Sequence, residues 1–140
     1  MKKLLLLAFV FTAVFTSCKK ENTCPAPPPD PNRIIGTWSG QYSGSDPTPP
    51  NTNCCIELKS NGEMIFHDGR LTPDASTLSQ FRGTWTLNGN IFKCIYRPQS
   101  TTVIRSVLAT LNSTSTNLVG TRGANTFEFT GFGQINVTKL

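Results

Sequence analysis

Residues Phe81 to Tyr96 read F-R-G-T-W-T-L-N-G-N-I-F-K-C-I-Y, two alternating runs joined by Asn88-Gly89. Asn-Gly is a strong hairpin signal, because a type I′ turn needs positive φ at both central positions and these two residues tolerate it. With Asn88-Gly89 as the turn, Leu87 faces Asn90, Trp85 faces Phe92, Gly83 faces Cys94 and Phe81 faces Tyr96. Opposed residues share a face of the sheet, so Phe81, Trp85, Phe92, Cys94 and Tyr96 gather on one side. Arg82, Thr84, Thr86 and Lys93 take the other side, together with Ile91 and Ile95. A slip of one residue would scatter the aromatic set. The stretch therefore predicts an antiparallel sheet with one buried aromatic face.

The same alternation continues in both directions. Ile34 to Tyr42 places Ile34, Gly36, Trp38, Gly40 and Tyr42 on one face. Ser43 to Asn53 holds Pro47, Pro49 and Pro50; proline gives no hydrogen bond to a ladder, so this is an exposed loop at a barrel mouth. Cys54 to Lys59 and Glu63 to His67 form a hairpin. A three-residue loop, Ser60-Asn61-Gly62 with Gly62 in the left-handed region, matches Leu58 with Met64 and Ile56 with Phe66 and sets Lys59 across from Glu63. Asp68-Gly69 is a turn, Leu71 to Leu78 a polar connection, and Thr72-Pro73-Asp74 opens one short helical turn. Beyond Pro98-Gln99, Thr101 to Leu111 is a strand whose phase stays open. Either Val103, Val107, Ala109 and Leu111 face inward, or Ile104 and Leu108 do. Leu118 to Arg122 is the seventh strand. The eighth alternates Phe127, Phe129, Gly131, Gly133, Ile135 and Val137 against polar neighbours.

Eight strands with mostly short links predict an all-β fold, an eight-stranded antiparallel up-and-down meander barrel. Such a barrel has room for side chains or one small ligand, and its closure removes exposed strand edges. The chain of 140 residues is enough for one core. Only 15% of residues are charged. The formal charge is +5, and two of the lysines, Lys2 and Lys3, sit in the leader described next. No basic run or stripe remains, so nucleic acid is not an expected partner.

Residues 1–17 have the anatomy of a secretory signal. Lys2 and Lys3 form the positive end, and Leu4 to Phe15 is apolar except for Thr12. That run is shorter than the ~20 residues a helix needs to span a bilayer. Phe15-Thr16-Ser17-Cys18 follows the lipobox layout and resembles bacterial lipoprotein signals, with Phe15 where an aliphatic residue is usual. The resemblance implies cleavage before Cys18 and acylation of that cysteine by palmitate-type chains. Two or more such chains anchor a protein stably to a membrane lipid leaflet. Residues 18–32 then form a tether in which five prolines favour extended polyproline II. The expected location is the bacterial cell envelope, on the outer membrane, either on the periplasmic side or at the cell surface.

Gly36-Thr37-Trp38 resembles the G-x-W signature of lipocalins and related calycins. Gly83-Thr84-Trp85 repeats it, and Gly120-Thr121-Arg122 echoes it. Together with the anchor, residues 33–140 look like a small lipocalin-like domain of the kind found in Bacteroidota lipoproteins. The resemblance implies that Trp38 closes one barrel end and that a late basic residue, Arg122 or Lys139, packs across it. It also implies a small apolar or amphipathic ligand inside. The candidate lining is Trp38, Tyr42, Phe66, Phe81, Trp85, Phe92, Tyr96, Phe127 and Phe129, with Arg105 as a polar handle. The alternative is a filled barrel with no internal ligand, acting on a protein partner or as an inhibitor through the loops at its mouths.

Four cysteines follow Cys18. Cys54 shares a face with Ile56 and Leu58, and Cys94 with Phe92 and Tyr96, so a Cys54–Cys94 disulfide across the interior is one expectation, leaving Cys55 for Cys24. Reduced, buried thiols are the other. An extracytoplasmic setting favours disulfides. Catalysis is not expected. His67 is the one histidine, read as facing solvent, and an adjacent Asp68 does not make a triad. No zinc, calcium or phosphate-loop pattern is present, so no metal and no cofactor are expected.

Overall fold

The computed structural model describes residues 30–44, 49–75, 80–97 and 102–140. The leader, Cys18, Cys24 and most of the tether lie outside these residues. The chain enters through a 3-10 turn, Pro31–Ile34, with the Asp30 side chain accepting from the Asn32 amide. Proline suits the first turn of a helix, since its missing N–H has no intrahelical partner there. The turn takes in Pro31 and Asn32, the last two residues of the expected tether.

Eight strands follow: β1 Gly36–Tyr42, β2 Thr52–Leu58, β3 Glu63–Asp68, β4 Gln80–Asn88, β5 Ile91–Arg97, β6 Arg105–Leu111, β7 Asn117–Gly123 and β8 Gly131–Lys139. Each pairs antiparallel with the next, and β8 pairs with β1, closing the barrel. The fold is the expected all-β up-and-down meander. Period-two alternation places one side-chain set inside. Ile56, Leu58, Met64, Phe66, Phe92, Val107, Ala109, Leu111, Leu118, Ile135 and Val137 form one buried cluster with Trp38 and Trp85. Each large apolar side chain in it contributes roughly 1.5–3 kcal/mol. The phase of β6 is settled in favour of Val107, Ala109 and Leu111; Val103 lies before the strand and is exposed.

The β2–β3 hairpin has the expected register, Leu58↔Met64 and Ile56↔Phe66, with Gly62 at φ 81°. The β4–β5 hairpin differs. Asn88 pairs with Ile91, Leu87 with Phe92, Trp85 with Cys94 and Gly83 with Tyr96. The turn is Gly89-Asn90, with positive φ only at Gly89 (59°), the φ pattern of a type II′ turn. Both central residues have moved on by one, so the two strands shift together and every side chain keeps its face. Gly83 is needed where it stands, since a Cβ there would lie 2.0 Å from the Ile95 carbonyl oxygen.

The eighth strand is shorter than expected, and its early aromatics are not inside. A register shift at Arg122/Gly123 pairs Arg122 with Gly133 but Gly123 with Gly131, leaving Phe132 as the extra residue. Residues 124–130 cross the outer face instead. There Ser106 Oγ donates to the Glu128 carbonyl at 2.9 Å and Thr121 Oγ1 to the Phe129 carbonyl at 2.8 Å. The described part of the connection after β3, residues 69–75, contains no helical turn. It is held to the outer face by hydrogen bonds: Ser39 Oγ donates to the Leu71 carbonyl, and the Asp74 amide donates to His67 Nδ1.

Candidate functional site

The two barrel ends are built differently. At the end that carries the 3-10 turn, the Trp38 indole N–H donates to the Ile34 carbonyl at 2.8 Å. Lys139 Nζ lies 6.0 Å from the Trp38 ring centroid and donates to the Arg33 carbonyl at 2.8 Å. Arg33 Nη2 in turn donates to the Gly89 carbonyl and Asn90 Oδ1, tying the entry to the β4–β5 turn. The Trp85 indole donates to the carbonyls of Lys59 and Glu63 at the β2–β3 turn. Lys139, not Arg122, is the late basic residue over Trp38. Both tryptophans are plug and core, with Phe92 and Phe66 behind them in the buried cluster. These four expected lining residues are packed filler.

Among the described residues the other end is open. Tyr42, Gly44, Asp68, Phe81, Tyr96, Arg105, Arg122 and Phe132 line a cavity of about 300 Å³ that opens to solvent. Phe81 and Tyr96 of its lining stack with the buried Phe66 beneath. Phe66 lies 4.9 Å from Tyr96 and 6.1 Å from Phe81, both within 10° of parallel, and Tyr42 meets Phe66 edge-on at 5.6 Å. Offset and edge-on pairs of this kind add to the stabilisation from burial alone.

Arg122 reaches into this end from β7 and is only 5% exposed. Its guanidinium donates to the Ser43 carbonyl (2.8 Å) and to the Tyr96 hydroxyl (2.9 Å), and its carbon lies 3.9 Å from the Tyr42 ring centroid. Ser43 is fixed to β8 through its amide and its Oγ, which bond the backbone of Gln134. Arg105 lies 4.1 Å from the Phe132 ring centroid, an arginine–aromatic contact. The Tyr42 hydroxyl donates to Asp68 Oδ1. Burial pushes the Tyr96 phenol up to about 12, with Arg122 pulling the other way. Burial and then the Asp68 hydrogen bond raise Tyr42 as well.

Of the ten expected lining residues, Tyr42, Phe81, Tyr96 and Arg105 meet at this cavity. Phe127 does not, being 92% exposed at a loop tip where the Asn125 side chain accepts from the amides of Phe127 and Glu128. Phe129 lies outside too, with Lys93 Nζ 5.6 Å from its ring centroid. The bulge on β8 is the cause, because the extra residue reverses the strand's phase and carries Phe132 inward instead. Three side chains of the cavity wall, Phe132, Asp68 and Arg122, were not among the expected lining residues. Phe132 left no signal in a regular alternation. Asp68 was readable, since it continues the inward phase of Met64 and Phe66, but it was taken as a turn residue. Arg122 was considered only as the alternative to Lys139 over Trp38, the place that Lys139 takes.

Cys54, Cys55 and Cys94 are free thiols, so the Cys54–Cys94 disulfide is not formed. Both side chains belong to the inner face, but β3 and β4 separate their strands in the wall, and a disulfide needs Cα atoms within about 7 Å. Burial raises Cys54 to about 12, Cys55 to about 11 and Cys94 as well, so none is poised as a thiolate nucleophile.

His67 does not face solvent. It is buried on the outer face beneath residues 69–75 and cross-strand from Cys55. Its Nε2 lies 2.6 Å from Glu57 Oε1, and its Nδ1 accepts from the Asp74 amide. Both ring nitrogens are occupied, so neither is left to take a proton from Cys55. Among the described residues no group of three or more His, Cys, Asp and Glu is placed to hold a metal, and no helix is long and apolar enough to cross a membrane. Comparison with known protein families, with curated proteins and with solved structures finds no match.

Proposed function

We propose that this chain is a lipid-anchored envelope protein whose lipocalin-like barrel binds one small amphipathic ligand at its open mouth. The observation that carries this reading is the difference between the ends. One is plugged, with both indole N–H groups bonded to backbone carbonyls, and the other is an aromatic cup of about 300 Å³ with charged groups at its wall. Cavities of this size, mostly apolar with a few placed polar groups, are typical of small-molecule sites. The ligand sits in the cup and not along the barrel axis, because Phe66 and the residues beneath it fill the interior. Trp38 under Lys139, next to a 3-10 turn, supports the lipocalin-like reading. The leader, Cys18 and the proline-rich tether support attachment to a membrane leaflet. Binding is favoured over catalysis because the buried thiols are not activated and His67 has no free nitrogen.

The exposed Phe127, with Leu71 and Val103 also exposed on loops, favours a second role in protein contacts through these connections. The two readings separate by experiment. The full-length lipidated chain in nanodiscs is titrated with short-chain amphiphiles of differing head group, and binding is followed by calorimetry. One site per chain is expected. Gly44→Phe narrows the mouth and weakens binding at least tenfold; no neighbour lies within 4 Å of a Cβ at Gly44, so the fold tolerates it. Absence of binding by every amphiphile overturns the ligand reading and leaves the protein-contact role.

A further inference from the structure

Arg105 and Arg122 both line the mouth cavity, against a single carboxylate, Asp68. Asp68 accepts a hydrogen bond from the Tyr42 hydroxyl, and no ion pair joins it to either arginine among the described residues. The lining is therefore net positive. Arg122 has only neutral partners, a carbonyl, a hydroxyl and the rings of Tyr42 and Phe132, and its Nε is buried with no hydrogen-bond partner. A buried guanidinium without a counter-charge is costly, and an anion brought beside it recovers part of that cost.

An orphan Nε alone does not mark a site, since Arg33 at the plugged end has one too. What sets the mouth apart is Arg105. Its guanidinium is partly exposed at the cavity wall, rests on the Phe132 ring, and makes no hydrogen bond or ion pair among the described residues. By contrast, Arg33 is held by the β4–β5 turn, Arg82 by Glu63 and Arg70 by Asp74, and Arg97 at the end of β5 is exposed and does not line the cavity.

Resting on the binding reading above, we propose that the ligand is a small organic carboxylate. Its head group takes the planar fork of Arg105, with Arg122 supplying a second positive charge from behind, and its apolar body lies on Phe81, Tyr96 and Phe132. A carboxylate fits a guanidinium through two parallel hydrogen bonds, and such charge-assisted pairs are the strong ones. The cavity holds about ten water volumes, which suits a short chain or a single ring and excludes a long-chain lipid lying wholly inside.

The test compares octanoate, 1-octanol and octylammonium on the full-length chain in nanodiscs, with inorganic phosphate as a head-group-only control. Octanoate is expected to bind at least tenfold more tightly than 1-octanol, and octylammonium and phosphate more weakly still. Arg105→Gln should remove the preference for octanoate over 1-octanol. Raising the salt from 20 mM to 500 mM should weaken octanoate only, since screening acts on the charged head. Arg105 is partly exposed and outside the buried cluster, so its variant is expected to fold, and an unchanged far-UV spectrum checks this. Equal affinity for octanoate and 1-octanol, or a preference that survives Arg105→Gln, overturns the carboxylate assignment while the mouth remains a binding site. Phosphate binding as tightly as octanoate also overturns it, in favour of a bare anion site.

Discussion

The two ends of this barrel use the same parts to opposite effect. Each sets a late-chain cation against an aromatic ring on β1: Lys139 near Trp38 at one end, Arg122 over Tyr42 at the other. At the first, the cation donates to the Arg33 carbonyl of the entering turn, and the indole is bonded to Ile34. At the second, the cation holds Ser43 and Tyr96 but leaves a cavity above the rings. Closure thus comes from the 3-10 turn, which brings backbone carbonyls over the barrel end. Where no such segment crosses among the described residues, the same cation–ring pair makes the wall of a cavity. The contrast has a built-in readout, since the two tryptophans of the chain lie toward the plugged end and its two tyrosines at the open one.

The largest way to break the contrast is to remove the plug. Trp38→Ala deletes a fully buried indole and its bond to Ile34 and should cost about 3–5 kcal/mol in chemical denaturation. A loss below about 1 kcal/mol would mean the end is not sealed by this residue.

Next is an alkaline titration. The Tyr96 phenol ionises near 12 in the folded chain against 10.0 unfolded, and Tyr42 is raised too, both mainly by burial. A raised folded value favours the native state fully below pH 10, and this contribution is lost as pH rises toward 12. At about 1.4 kcal/mol per unit, Tyr96 alone accounts for roughly 3 kcal/mol over that window. Buried Cys54 and Cys55, which ordinarily ionise near 9.0, start the decline earlier. Phenolate absorbance should therefore stay absent through pH 10.5 and appear together with unfolding. Tyrosines that titrate near 10 in a folded chain would show a mouth more open than described.

The smallest effect lies at the plugged end and on the acid side. Bonds from Lys59 and then Arg82 hold the exposed Glu63 carboxyl below its ordinary 4.5. A lowered value means stability present above pH 4.5 and lost as pH falls through the folded value. Glu63→Gln should flatten the acid limb slightly and leave the alkaline limb untouched.

Much of the wall was legible in the sequence. Matching apolar partners across Ser60-Asn61-Gly62 gave the β2–β3 register, and the aromatic alternation of Phe81 to Tyr96 gave the buried face. The β4–β5 turn was displaced by one residue, because Asn-Gly and Gly-Asn are both good two-residue turns and the change preserves every face. The site was less legible. Two of its residues, Phe132 and Arg122, flank a β-bulge, and a bulge adds a residue that period-two alternation cannot anticipate. The disulfide expectation rested on shared phase alone, which fixes a face but not a separation around the barrel.

The most direct test of the difference between the ends is a ¹H–¹⁵N NMR titration of the full-length chain with octanoate. The two indole N–H signals report Trp38 and Trp85, and the backbone amides of Tyr42, Asp68, Tyr96, Arg105 and Phe132 report the mouth. Saturable shifts confined to the mouth amides, with both indoles unmoved, are predicted. Shifts centred on the indoles, or spread evenly over both ends, would contradict a barrel plugged at one end and receptive at the other.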